Sequence, residues 1–247
     1  MNPSRKRFAV LTLAALAAAA LTARLGVWQL DRADQKIALQ ASIDERGRLP
    51  PLDVTMLASS EAEAARQHHR RVQLRGHWSS AHTVYLDNRQ MGSGQPGFYV
   101  VTPLLLADGR AVLVQRGWAP RDARDRTRLP PLATPSDEVA VVGRIAPPPA
   151  RLFEFDGAEV GAIRQNLDID GFARETGLRL APLSVLQTEA SSQPPYEDGL
   201  QRDWPAPSTG VAKHHGYAFQ WFGLSALVVI LYVWFQFIQP LRQRPRR

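Results

Sequence analysis

Apolar positions recur along this chain with two different periods, framed by two unbroken runs. Residues 8–23, FAVLTLAALAAAALTA, carry no charge. As a helix rising about 1.5 Å per residue they cover about 24 Å. Continuing through Leu25, Gly26, Val27, Trp28 and Leu30 reaches roughly the 30 Å of a bilayer core, with Arg24 reaching back to the surface and Trp28 at the interface. The same basic start and alanine-rich centre also fit a cleaved signal peptide. Residues 217–238 form the second uncharged run, about 33 Å as a helix, and predict a membrane-crossing segment.

Just after the first run, Leu30, Ala33, Ile37 and Ala41 keep helical spacing, so the first helix is expected to continue beyond the apolar stretch. The period then falls to two. RRVQLRGHW, HTVYLDNRQ, GFYVVTPLLL, AVLVQRGWA and EVAVVGRIA alternate or form short β-branched runs between Gly, Pro and Asp, which predicts strands of an antiparallel sheet. Ala107-Asp108-Gly109 predicts a tight hairpin, residues 119–137 a long exposed loop, and DIDGFARETGL a short helix near Asp170. PLSVLQTE predicts a last strand, and residues 191–210 a proline-broken tether to the second membrane helix. The expected class is an α+β membrane protein, two transmembrane helices flanking an antiparallel β-rich extracytoplasmic domain. Its parts are a first helix at 8–30, a periplasmic domain at 31–212, a second helix at 213–238 and a basic cytoplasmic tail at 239–247.

Charge refines this picture through its location. The net charge is +7, yet all 23 acidic residues lie between Asp31 and Asp203, facing 22 basic residues between Arg32 and Lys213. The surplus sits at the ends, in Arg5, Lys6, Arg7 and Arg24, and in Arg242, Arg244, Arg246 and Arg247. Nucleic-acid binding needs a basic face on a folded domain, whereas basic ends beside apolar runs fit a membrane protein with both termini cytoplasmic and the middle periplasmic, as in a bacterial inner membrane. No cysteine is present, so a thiolate metal carrier is excluded.

The candidate chemistry is sparse. Gly92-Ser93-Gly94-Gln95-Pro96-Gly97 has the GxGxxG spelling of a dinucleotide loop, but a strand pattern follows it and Pro96 interrupts it, so a hairpin is the better reading. His68 and His69, adjacent on an expected helix, point apart and suit an exposed polar face. His77 and His82 flank an expected turn without a third metal ligand. No GxSxG, HExxH or P-loop pattern occurs, which argues against an enzyme and against a membrane-tethered hydrolase working through His77 or His82. Arg116-Gly117-Trp118 closes a strand and needs only packing and turn geometry.

KHHGYAFQWF, residues 213–222, opens the second helix. Helical spacing places His214, Ala218, Trp221 and Ser225 on one stripe with Tyr217 beside His214, and puts His215 on a neighbouring stripe with Phe219 and Phe222. A histidine above a small residue, flanked by rings at a membrane surface, suits a flat macrocycle whose iron it ligates; an interfacial belt of Tyr, Trp and His is the alternative.

Gly26-Val27-Trp28-Gln29-Leu30 with Arg32, then Pro103 and Val112-Leu113-Val114-Gln115-Arg116-Gly117-Trp118, then His214 through Phe222, together resemble the surfeit locus protein 1 family of cytochrome c oxidase assembly factors, in order and across essentially the whole chain. The resemblance implies a non-enzymatic protein that binds haem A transiently and assists its insertion into the catalytic subunit of the oxidase. It implies His214 as the iron ligand in a His-x-x-Tyr arrangement with Tyr217, with His215 and Trp221 nearby; haem propionates would need cations near the periplasmic surface, for which Lys213 and Arg116 are candidates if the sheet docks there. Implied partners are oxidase subunit I, a haem A synthase and membrane lipid, not nucleic acid. A scaffold holding these proteins without binding haem is the alternative.

Overall fold

A computed structural model describes residues 3–91, 94–152, 161–190, 196–207 and 209–242. Arg244, Arg246 and Arg247 of the expected tail lie outside the described residues, as do Gly92 and Ser93 of the glycine-rich loop and residues 191–195 of the expected tether. The chain divides into two compact units, residues 1–41 with 206–247, and residues 42–205.

In the first unit the apolar runs are helical. Helix α1 (Pro3–Gly47) is continuous, and its continuation past Leu30 is borne out. Much later in the chain comes a helix (Val211–Val233) that passes through a wide π-helical turn (Trp234–Ile238) into Gln239–Arg242. Both are long and apolar enough to cross a membrane.

The second unit is built on a seven-stranded sheet. Its strands are β1 (Arg71–Trp78), β2 (Val84–Met91), β3 (Gln95–Leu106), β4 (Ala111–Pro120), β5 (Val139–Ala146), β6 (Ile163–Arg164) and β7 (Leu180–Gln187). The order is β1-β5-β7-β4-β3-β2-β6, and β1 also pairs with β3, which closes β1, β5, β7, β4 and β3 into a barrel-like ring. Short helices α2 (Glu61–Gln67) and α3 (Ile169–Thr176) pack on it. The helix beginning at Val211 is thus α4 in chain order.

Alternation explains β1 directly: Val72, Leu74 and Trp78 are buried while Arg71, Gln73 and Arg75 are exposed. Strand β4 is buried along both faces from Ala111 to Ala119. On one side Val112 and Val114 join Leu74, Trp78, Val141 and Val185 in the main core. On the other Leu113 meets Leu86, Val101 and Phe172 of α3. The turn at Ala107–Gly109 joins β3 to β4 as expected, and Asp168 caps α3 by accepting from the Gly171 N–H at 2.7 Å.

Three expectations change. The sheet is mixed: β7 runs parallel to β4 and antiparallel to β5, and β6 parallel to β2. A period of two reports which face is buried and carries no strand direction. Helix α2 ends at Gln67, so His68 and His69 leave the helix, with His69 in the left-handed region at φ 72. The described part of the tether is fastened to the sheet. Gln201 pairs with Trp118 through both backbone bonds, at 2.8 and 2.9 Å, and Trp204 Nε1 donates to the Gln187 carbonyl at 2.7 Å.

Candidate functional site

The histidine motif is held in place by the first helix. Helices α1 and α4 run antiparallel, and polar side chains mark the seam along its length. Thr12 and Tyr232 share a hydrogen bond of 2.7 Å, Ser225 Oγ donates to the Ala19 carbonyl at 2.9 Å, and Lys36 Nζ donates to the Thr209 carbonyl at 2.9 Å. Gly26 allows the close approach: a Cβ there would lie 2.8 Å from ring carbons of Phe222. Two of the three sequence motifs therefore meet face to face.

Gln29 of α1 is the centre of that meeting. It is 9% exposed, and its Oε1 lies 2.7 Å from Nδ1 of His214. A carbonyl oxygen only accepts, so Nδ1 carries the hydrogen in this pairing and Nε2 keeps its lone pair. The imidazole is half-buried, with one nitrogen fixed and the other chemically able to ligate a metal.

The remaining expected site residues divide between faces of α4. His214, Ala218, Trp221 and Ser225 fall on the inner stripe, as their spacing predicts. Ala218 is only 2% exposed, lying between the Gln29–His214 and Gly26–Phe222 contacts, so the room left by its small side chain is taken up by helix packing. His215 is exposed, Tyr217 is 51% exposed and Phe219 80% exposed, which leaves aromatic surface on the outer face of the same turns. Tyr217 is three residues from His214, about 60° away around a helix of 3.6 residues per turn.

The sheet motif serves its own domain. Arg116 is 0% exposed; its guanidinium lies 4.6 Å over the Trp78 ring and donates to Thr134 Oγ1 and the Ala133 carbonyl, both at 2.8 Å. Asp198 Oδ2 stands 3.5 Å away and also pairs with Arg202. Burial pulls the Arg116 pKa below the ordinary arginine value, while Tyr196 and Asp198 oppose that pull. The expectation that Arg116 meets a propionate is therefore corrected, because the side chain is enclosed by donors and acceptors of its own domain. At Gly117 an added Cβ would lie 2.7 Å from Leu200 Cβ and 2.8 Å from the Gln201 carbonyl oxygen, and Trp118 Nε1 donates to the Arg89 carbonyl at 3.0 Å.

His77 and His82 are engaged separately, His77 with the Ser136 carbonyl at 3.2 Å and His82 with Ser79 Oγ at 2.8 Å. Among the described residues no group of three or more His, Cys, Asp or Glu is arranged to hold a metal. The residues that sequence reasoning left without a role are Gln29, Asp198 and Gln201. Gln29 carried a signal, since an amide inside an apolar helix needs a partner on a neighbouring one.

The sequence model of the SURF1 family matches residues 16–226, a span containing all three motifs. The chain is 25% identical to a SURF1-like protein of Rickettsia bellii over 84% of this chain and 83% of that one. It is 27% identical to Surfeit locus protein 1 of Rattus norvegicus over 86% of this chain and 70% of that one. With Surfeit locus protein 1 of Arabidopsis thaliana it shares 28% identity over 44% of this chain and 33% of that one.

Proposed function

The chain belongs to the SURF1 family, and on that premise we propose that it is a non-enzymatic assembly factor for cytochrome c oxidase, binding haem A at His214 and assisting its insertion into the catalytic subunit. The observation that carries this reading is the Gln29–His214 hydrogen bond, because it anchors one ring nitrogen on the facing helix and leaves the other with its lone pair. Haem A, when bound, supplies an iron for that nitrogen and a flat apolar face. His214 would hold the iron, and the exposed rings of Tyr217 and Phe219 offer stacking surface, with Trp221 half-buried on the inner stripe and His215 in a peripheral role.

A protein that delivers a cofactor has to let it go. A single half-buried imidazole suits release better than a closed two-ligand site. Lys213 is exposed one residue before His214 and is the cation assigned to a propionate. The location that fits is a bacterial inner membrane with both termini cytoplasmic, the sheet domain periplasmic, and oxidase subunit I and a haem A synthase as partners within the lipid.

The test is haem content. Full-length protein purified by gentle detergent extraction from cells that make haem A is expected to carry a Soret band and to yield haem A on extraction. Protein from the same cells that lacks any Soret absorbance would overturn haem binding and leave a scaffold that holds the oxidase subunit or the synthase without the cofactor.

A further inference from the structure

Gln29 lies at the interfacial end of the apolar stretch, between Trp28 and Leu30, and is buried, so its amide is costly without a partner. Its Oε1 is within 2.7 Å of His214 Nδ1. The chemistry of this contact has two possible arrangements. With the amide oxygen facing the ring, the ring must donate from Nδ1, and Nε2 is left bare. With the amide nitrogen facing it, Nδ1 must accept, the hydrogen moves to Nε2, and no lone pair remains for a metal in the neutral ring.

The structure has the oxygen facing the ring. We propose that Gln29 is a positioning residue for His214: it selects the Nδ1–H tautomer and fixes the ring, so that Nε2 keeps a lone pair that would hold an iron. This rests on the haem reading above and deepens it, since the ligand's competence then depends on a residue of the other helix. Partners of this kind fix a histidine's tautomer and orientation and raise its basicity, and their loss lowers metal affinity on the order of 10- to 100-fold. Gly26, three residues earlier, adds the close approach against Phe222 that keeps Gln29 within reach.

The test uses full-length protein labelled with 15N-histidine, in detergent micelles at a pH of about 8.5, above the ordinary histidine range. His214 is identified as the signal lost in His214→Asn. In the wild-type protein its Nδ1 is expected at a pyrrole-like 15N shift and its Nε2 at a pyridine-like one. Gln29→Met removes the acceptor at similar size and is expected to move His214 toward the Nε2–H form and to weaken haem A binding on the order of 10- to 100-fold in a Soret titration. Gln29→Glu restores an acceptor and is expected to restore both the tautomer and the affinity. A merely structural role for Gln29 would leave the tautomer unmoved. An Nε2–H signal in a wild-type protein that does bind haem A overturns the positioning role alone. Should the Nδ1–H signal appear while none of the three proteins binds haem A, the haem reading falls and the ligand role given to His214 and Gln29 falls with it.

Discussion

Gly117 and Asp198 show how single residues fasten the last segment of the domain to its sheet. Gly117 leaves space for Leu200 and Gln201, so Gly117→Glu is expected to abolish folded protein by driving a charge into a filled contact, and Gly117→Ala to cost about 1–3 kcal/mol by overpacking. Yield and thermal unfolding check this; normal amounts of folded Gly117→Glu protein with selectively lost haem would instead place the motif in the cofactor site. Asp198 is the carboxylate beside two guanidiniums, the buried one of Arg116 and the partly buried one of Arg202. Asp198→Ala removes the carboxylate that offsets both charges, and a loss on the order of 3–5 kcal/mol is expected in denaturant unfolding. Sequence reading showed that Arg116-Gly117-Trp118 closes a strand with a packing role. Its partners could not be read, because they lie about eighty residues later in a proline-containing segment with no period of its own.

Strands β1 to β5 and β7 were legible because one-sided or complete burial writes itself into residue type. The direction of β7 was not, since its pairing with β4 depends on where the chain passes between them, and β6 is too short to carry a pattern. The exit from α2 was misread for a similar reason: Gln67, His68 and His69 have no cap signal, yet His69 adopts φ 72 and the helix stops. This junction predicts a pH effect. Burial lowers the pKa of both histidines, with Arg46 adding for His68 and Arg144 first among the charges for His69. Their folded values fall below the unfolded value of about 6.5, so the unfolded chain binds protons more readily. The stability they contribute is complete above about pH 6.5 and is lost as the pH falls through the folded values. His69→Asn, which tolerates the left-handed backbone, is expected to flatten the fall in melting temperature below pH 6.5. An unchanged slope would show that the acid sensitivity lies elsewhere.

At the scale of the whole molecule, charge location predicts both termini on the cytoplasmic side, and the two apolar runs are helices long enough to cross a membrane. What the sequence could not supply was the pairing of Gln29 with His214, because a contact between residues 29 and 214 leaves no local period. Reporter fusions after Gly94 and at Arg247 are expected to report opposite compartments, the first periplasmic and the second cytoplasmic. A mature N-terminus near Arg24 would remove the two-anchor arrangement. The central claim is that one histidine of the adjacent pair is the haem ligand, and it is tested most directly by comparing His214→Ala and His215→Ala at equal protein level, reading the Soret band of purified protein and the oxidase activity of the host membranes. The expected result is that His214→Ala loses haem A and lowers oxidase activity while His215→Ala, its side chain turned about 100° away, retains most of both. Equal loss in the two variants, or haem retained in both, would contradict it.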